Sequence, residues 1–251
     1  MPHGQLTVLG SCAAWPEPGR ACSGLLVEYD GVRLVLDLGF ATLPRLLAHC
    51  PDGDVDGVVI THAHSDHCVD LNGLLRVRHH GGRASDRIPL LCPPPVAALV
   101  DGLEHRPRLA ELFDVRALPG THRVGPFQVT GLPLPHHVPA CGVRLVAGDL
   151  VVAYSGDTGP HENLVELGLR ADLFVVEATL AGGRTDEHLL SARQAGRWAS
   201  AAGARRLMLT HFWPGSDRAA AVEQARETFA GEVIAAEEGL TVELGTGHRM
   251  S

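Results

Sequence analysis

The sequence predicts an α/β fold of four layers, an αββα sandwich in which two central β-sheets pack face to face and helices cover both outer faces. Three observations carry this prediction. Apolar strand-like runs follow one another in long β-only stretches, mixed with stretches where strands and helices take turns, which suits packed sheets covered by helices rather than a doubly wound parallel sheet. The second half of the chain repeats the alternation of the first. No Gly-x-Gly-x-x-Gly follows the first strand, which removes the main dinucleotide-binding alternative.

Taken in order, the short apolar runs at 5–9, 25–29, 32–37, 57–61 and 88–92 have the length and character of strands, and helical stretches lie near 41–49, 66–79 and 94–104. In the second half, strands are expected near 126–134, 142–147, 150–154, 172–177 and 205–210, with Gly148-Asp149 turning between two of them. Helices near 160–168, 191–202 and 217–230 accompany these, and two short strands finish the chain. At 251 residues and 45% hydrophobic the chain can bury a large core. No Ser- or Pro-rich linker divides it, so one domain over 1–251 is expected.

The chemistry concentrates in His62-Ala63-His64-Ser65-Asp66-His67, which begins where the buried run Gly57-Val58-Val59-Ile60-Thr61 ends. In extended chain, residues two apart point the same way, so His62 and His64 can reach one ion. A helix starting near Asp66 turns its carboxylate and the His67 imidazole toward a second. Imidazole nitrogen mixed with carboxylate oxygen suits zinc, and iron or manganese as well. The competing reading is a solvated loop that is merely rich in histidine.

This run resembles the metallo-β-lactamase superfamily of hydrolases, and further segments match that family in order. Leu134-Pro135-His136-His137-Val138-Pro139-Ala140-Cys141-Gly142 supplies the expected lone histidine, Tyr154-Ser155-Gly156-Asp157-Thr158-Gly159 the Gly-Asp-Thr turn, and Arg206-Leu207-Met208-Leu209-Thr210-His211 the last histidine. The resemblance, running from about residue 5 to the end, implies two metal ions: His62, His64 and His136 on one, Asp66, His67 and His211 on the other, and Asp157 bridging them. An anionic bridge offsets the repulsion of two dications about 3.5–4 Å apart. His136 is preferred over His137 because the related pattern runs His, one residue, Val-Pro. Asp37, ending a strand where the family keeps an aspartate, is expected to take the other N–H of a metal-bound imidazole. Its rival reading is a turn capped by Asp-x-Gly.

The opening segment, Leu9-Gly10-Ser11 through Pro16, Arg20 and Ser23-Gly24, resembles the ribonuclease Z branch, as does Val176-Glu177-Ala178-Thr179-Leu180. That branch has His where this chain has Val176. His188, followed by Leu189-Leu190-Ser191, resembles the branch's His-Ser-Thr stretch and is a candidate catalytic residue; a histidine opening a helix as an exposed cap fits equally. Members that mature transfer RNA carry a long arm between the third histidine and the bridging aspartate. Only 21 positions separate His136 from Asp157, which leaves no room for it.

Charge agrees. The chain has 21 Lys+Arg, all of them Arg, against 29 Asp+Glu, net −8, whereas a dedicated nucleic-acid binder neutralises phosphates with a basic face. Its one basic stretch, Arg76-Val77-Arg78-His79-His80 followed by Arg83 and Arg87, reads as the solvated face of a helix and its loop. The expectation is therefore a hydrolase with two divalent ions, zinc first and manganese or iron as alternatives, in which a bridging water's pKa falls from near 15.7 toward about 7. The substrate is a small or cyclic phosphodiester, and His188, or Asp66 through solvent, protonates the departing oxygen. The alternatives are a thioester or lactone hydrolase and a catalytically silent metal-binding protein.

Six cysteines without Cys-x-x-Cys or close pairing fit reduced thiols. No apolar stretch approaches the ~20 residues of a membrane helix and no leader is evident, so a cytoplasmic protein without membrane contact is expected. The resemblance also implies that two copies can pair. Trp15, Phe40, Phe212 and Trp213 adjoin the matched motifs and read either as pocket walls or as core.

Overall fold

The computed structural model describes residues 4–81, 87–181 and 184–245. The first half runs β1 (Gly4–Gly10), β2 (Gly24–Tyr29), β3 (Val32–Leu38), α1 (Leu43–His49), β4 (Gly57–Val59), α2 (Ser65–Cys68), α3 (Asp70–His80), β5 (Ile88–Cys92), α4 (Pro94–Leu103), α5 (Leu109–Leu112) and β6 (Phe113–Ala117). The second half runs β7 (Gly120–Val124), β8 (Phe127–Leu134), β9 (Ala140–Ala147), β10 (Leu150–Tyr154), α6 (Asn163–Gly168), β11 (Leu173–Glu177), α7 (Ala192–Ala202), β12 (Arg206–Thr210), α8 (Arg218–Arg226), β13 (Glu232–Ala235) and β14 (Thr241–Leu244).

These strands form two seven-stranded sheets, ordered β14-β1-β2-β3-β4-β5-β6 and β13-β12-β11-β10-β9-β8-β7. Each sheet has an antiparallel part, in which tight turns join β2 to β3, β7 to β8 and β9 to β10, and a parallel part whose crossovers carry helices. Period-two alternation divides every central strand between two cores. In β3, Leu34 and Leu36 point between the sheets while Val35 faces the helices; the left-handed Asp37 breaks the alternation, and Leu38 joins Val35. In β11, Leu173 and Val175 join the same inter-sheet core, and Phe174 and Val176 pack under the helices of the second sheet. The outer faces are closed by apolar residues of α1, α3, α4 and α5 on one side and α6, α7 and α8 on the other. This is the αββα sandwich read from the sequence.

The sequence reading misses β6 and β7. Phe-Asp-Val-Arg-Ala alternates apolar with polar, Gly-Thr-His-Arg-Val is polar through its middle, and both lie at sheet edges with one side exposed, so neither makes an apolar run. The helix expected over 66–79 is interrupted at Val69, and the one expected over 160–168 begins only at Asn163. The basic stretch on α3 is not wholly solvated as expected: Arg78 is 2% exposed and donates to the Gly53 carbonyl, while Arg76 pairs with Glu104. Arg83 of that stretch lies outside the described residues. Among the described residues no helix is long and apolar enough to cross a membrane.

Candidate metal centre

Every candidate donor follows the carboxyl end of a strand. His62 and His64 come after β4, His136 after β8, Asp157 after β10 and His211 after β12, so the two sheets deliver them to one edge of the sandwich. Asp66 and His67 arrive on α2, which starts directly after His64, as the helix expected near Asp66 requires. Two groups result: His62, His64, His136 and Asp157, and beside them Asp66, His67 and His211. The two oxygens of Asp157 divide between them. Oδ2 lies 3.8 Å from His62 Nε2 and 3.7 Å from His136 Nε2, and Oδ1 lies 3.2 Å from His67 Nε2 and 3.3 Å from His211 Nε2.

Four imidazoles have their Nδ1 committed elsewhere. His67 donates Nδ1–H to Asp37 Oδ2 at 2.8 Å, His136 donates to the His188 carbonyl at 3.0 Å, His211 donates to Thr179 Oγ1 at 2.8 Å, and His62 meets Thr61 Oγ1 at 3.0 Å. Each therefore presents an Nε2 lone pair inward. The inward nitrogens crowd: His64 Nδ1 is 3.1 Å from both His62 Nε2 and His136 Nε2, and His67 Nε2 is 3.3 Å from His211 Nε2. Asp157 Oδ1 is buried with no hydrogen-bond partner. Lone pairs facing lone pairs around an unpartnered carboxylate oxygen fit divalent cations, and hydrogen bonds among these groups satisfy only part of the set.

Burial holds His62 well below the usual imidazole range, lowers His64 and brings His136 to about 4, so the imidazoles of this group are neutral and ready to ligate at pH 7. The second group behaves oppositely. Burial opposes the charge on His67 and His211, but Asp157 beside both overrides it and raises them, so a cation bound here would displace a proton from the ring to reach the Nε2 lone pair. Asp66 is also opposed by burial, yet His67 and His211 keep it ionised and hold it below the usual carboxylate range.

The surroundings explain why the rings stay in place. Asp37, fully buried, accepts from Thr61 N at 2.7 Å, Thr61 Oγ1 at 2.8 Å, His67 Nδ1 and, at 2.9 Å, Tyr154 OH. It anchors an imidazole, and the turn-capping reading falls away. On the other side Thr179 Oγ1 donates a hydrogen bond to Glu177 Oε2 at 2.5 Å, and Glu177 Oε1 accepts one from Thr158 N at 2.7 Å. Burial and the neighbouring Asp157 push Glu177 up to about 8. The sequence reading used Glu177 and Thr179 only as a resemblance and missed this chain behind His211; a carboxylate ending a buried parallel strand was the available signal. It also missed Tyr154, an aromatic ending an apolar strand, and Ala14, whose N–H reaches Asp66 Oδ2 at 2.8 Å. Asp37 and His211 both adopt left-handed backbone, φ 59° and 55°, a conformation uncommon outside glycine that Asp and His enter more readily than most.

His136, not His137, joins the donor cluster. His137 lines the adjoining cavity and lies against the His188 ring, with centroids 4.3 Å apart. His188 opens no helix, as the exposed-cap reading supposed: Ser191 caps α7, and His188 lies in the turn before it with its Nδ1 buried and unpartnered. Asp66, by contrast, lines the cavity together with His64, His136 and Asp157. Of the four aromatics beside the motifs, Phe212 is core, Trp213 is a cavity wall, Trp15 rests on Trp213, and Phe40 is part-buried and away from the lining.

A nitrogen- and carboxylate-rich centre at the strand ends of an αββα sandwich defines a class of metal-dependent hydrolases. This chain belongs to that superfamily: the family model described as "Beta-lactamase superfamily domain" matches residues 33–212. It is 32% identical over 258 residues to an uncharacterized protein of Mycobacterium leprae, covering 98% of this chain and 90% of the relative. It is 28% identical over 307 residues to a ribonuclease Z of Thermobifida fusca, covering 95% and 94%. Among solved structures, the metallo-beta-lactamase fold protein YhfI from Bacillus subtilis superposes with a TM-score of 0.88 at 26% identity, covering 97% of this chain and all of YhfI. The chain is a metal-dependent hydrolase of the ribonuclease Z-like branch.

Proposed function

We propose that this hydrolase is a dinuclear phosphodiesterase acting on small or cyclic phosphodiesters. The observation that carries the reading is the division of Asp157, one oxygen toward each donor group, which is how a carboxylate bridges two cations. His62, His64 and His136 would hold one ion and Asp66, His67 and His211 the other, zinc being the first candidate. When bound, the ions would polarise the electrophile and acidify a water to a pKa of about 7. Asp37 and the Thr179–Glu177 pair keep the His67 and His211 rings aimed inward while this happens. Asp66, held ionised at the cavity, would accept the proton that the attacking water loses and return it through solvent to the departing oxygen. His188 is the alternative donor, and its ring would have to turn from His137 to serve.

The small-substrate half of the proposal rests on what is missing for a large one. The ribonuclease Z alignment extends over 307 positions against this chain's 251, so the relative carries segments that this chain lacks. The described cavity lining includes no Arg. Turnover of bis(p-nitrophenyl) phosphate or a 2′,3′-cyclic nucleotide by the metal-replete protein, with precursor transfer RNA left uncut and Asp157→Ala as blank, is the expected result. Turnover confined to a lactone or an acyl thioester overturns the proposal in favour of acyl chemistry, and specific trimming of precursor transfer RNA overturns the size argument.

A further inference from the structure

Two indole rings stand at the mouth of the cavity. Trp213 lines it two residues beyond His211, and Trp15 meets Trp213 edge to face, with centroids 5.1 Å apart and planes at 81°. Trp15 is 49% exposed and Trp213 46%. Only three other large apolar side chains are comparably exposed among the described residues, Leu103, Val115 and Leu169, and none of them lines this cavity. An indole left half in water forgoes burial that the fold could use, and Phe212, the neighbour of Trp213, is 1% exposed in the core. The chain thus buries one ring of the Phe-Trp pair and keeps the other at the site.

The pair is also held firmly. Phe212 N donates to the Ser11 carbonyl and Ala13 N to the Phe212 carbonyl, both at 2.9 Å, so the two indole-bearing segments are paired by backbone. Between them, Ala14 N reaches Asp66 Oδ2. The backbone that carries the two rings is therefore tied to the segments of Asp66 and His211. Two perpendicular indoles make an apolar corner that suits a flat π-system, and aromatic stacking accepts any nucleobase. The cavity volume, about 310 Å³, lies at the small end for ligand sites and suits one nucleotide, not a strand.

We propose that Trp213, braced by Trp15, is the stacking surface for the base of a small nucleotide whose phosphodiester lies over the metal centre. This rests on the phosphodiesterase reading and narrows it to nucleotides. The test compares adenosine 2′,3′-cyclic phosphate with the baseless methyl riboside 2,3-cyclic phosphate on the metal-replete protein, alongside quenching of tryptophan fluorescence by adenosine 5′-monophosphate. The expected KM is about 10–100-fold lower for the adenosine substrate. Trp213→Ala should bring the two KM values together and weaken quenching, Trp15→Ala should do so in part, and Trp213→Phe should retain the preference. A preference that persists in Trp213→Ala overturns the stacking role, as does its absence from the unsubstituted protein. If no phosphodiester is turned over but quenching occurs and is lost in Trp213→Ala, the stacking surface stands and the phosphodiesterase reading falls. Absence of both turnover and quenching overturns both. A dimer that Trp213→Ala converts to monomer, with base preference unchanged, assigns the corner to a second copy of the chain and overturns the proposal.

Discussion

Asp37 and Asp157 are both buried carboxylates, yet the structure gives them different work. Asp37 is satisfied by four donors, and its role is to aim His67. Asp157 leaves Oδ1 unpartnered and faces two groups of imidazoles. Loss of metal should be graded accordingly. Asp157→Ala should empty or cripple the pair of sites, whereas Asp37→Ala should weaken metal affinity or turnover by about 10–100-fold, the usual cost of removing a group behind a ligand. Elemental analysis and a metal titration of both folded variants check this; an Asp37→Ala protein with unchanged affinity would show that His67 needs no anchor. These assignments were legible because donor chemistry is local to short motifs. The chain Thr179–Glu177 behind His211 was not, since His211 lies more than thirty residues from both partners in sequence and only the parallel pairing of β11 with β12 joins them.

At the scale of elements, the site depends on how closely segments approach. Gly39, just past β3, lies against the end of α2, and a Cβ there would sit 1.9 Å from the Asp66 carbonyl oxygen. Backbone, not a flexible side chain, is in the way, so Gly39→Ala must displace either β3 or the segment bearing Asp66 and His67. We expect a cost of about 2–3 kcal/mol, roughly 5–10 °C in Tm for a chain of this size, with reduced metal content. Gly102→Ala, where nothing lies within 4 Å, is the control; it should leave metal content unchanged and, within α4, hold or slightly raise Tm. Thermal denaturation and metal analysis of the two variants decide the matter; equal Tm values would mean that the approach is softer than the geometry implies. The edge strands β6 and β7 illustrate the opposite lesson. Their half-exposed alternation carries little apolar signal, and they form because a neighbouring strand offers a ladder.

For the whole molecule, two predictions follow from its donor set and its buried thiols. Seven donors in two groups predict two divalent ions per chain, each with a position open to the cavity. Elemental analysis of metal-replete protein should give two, and chelation should abolish turnover and lower Tm; one closed tetrahedral ion would be the contrary result. All six cysteines are buried and free of disulfides. Burial pushes Cys50 and Cys141 up to about 11 and Cys68 and Cys92 up to about 12 from the ordinary 9.0. The native protein should therefore resist thiol reagents at pH 8 and release all six thiols on unfolding. Because the folded state keeps protons that the unfolded chain loses above pH 9, stability from these groups is complete below 9 and declines as pH rises toward 11–12. A Tm that stays level from pH 8 to 11 would contradict this.

Apolar runs of strand length, and their repeated alternation with helices, made the four-layer class legible in the sequence, and short motifs at strand ends, matched in order to a known family, marked the candidate donors. Both are properties that nearest neighbours along the chain encode. Folding alone decided which oxygen of Asp157 meets which group, that Thr179 and Glu177 stand behind His211, that His137 turns to His188, and that Trp213 stands at the cavity while Phe212 is core. Each of these depends on contacts between segments tens to more than a hundred residues apart, brought into register by two sheets packed face to face, and no local pattern records them.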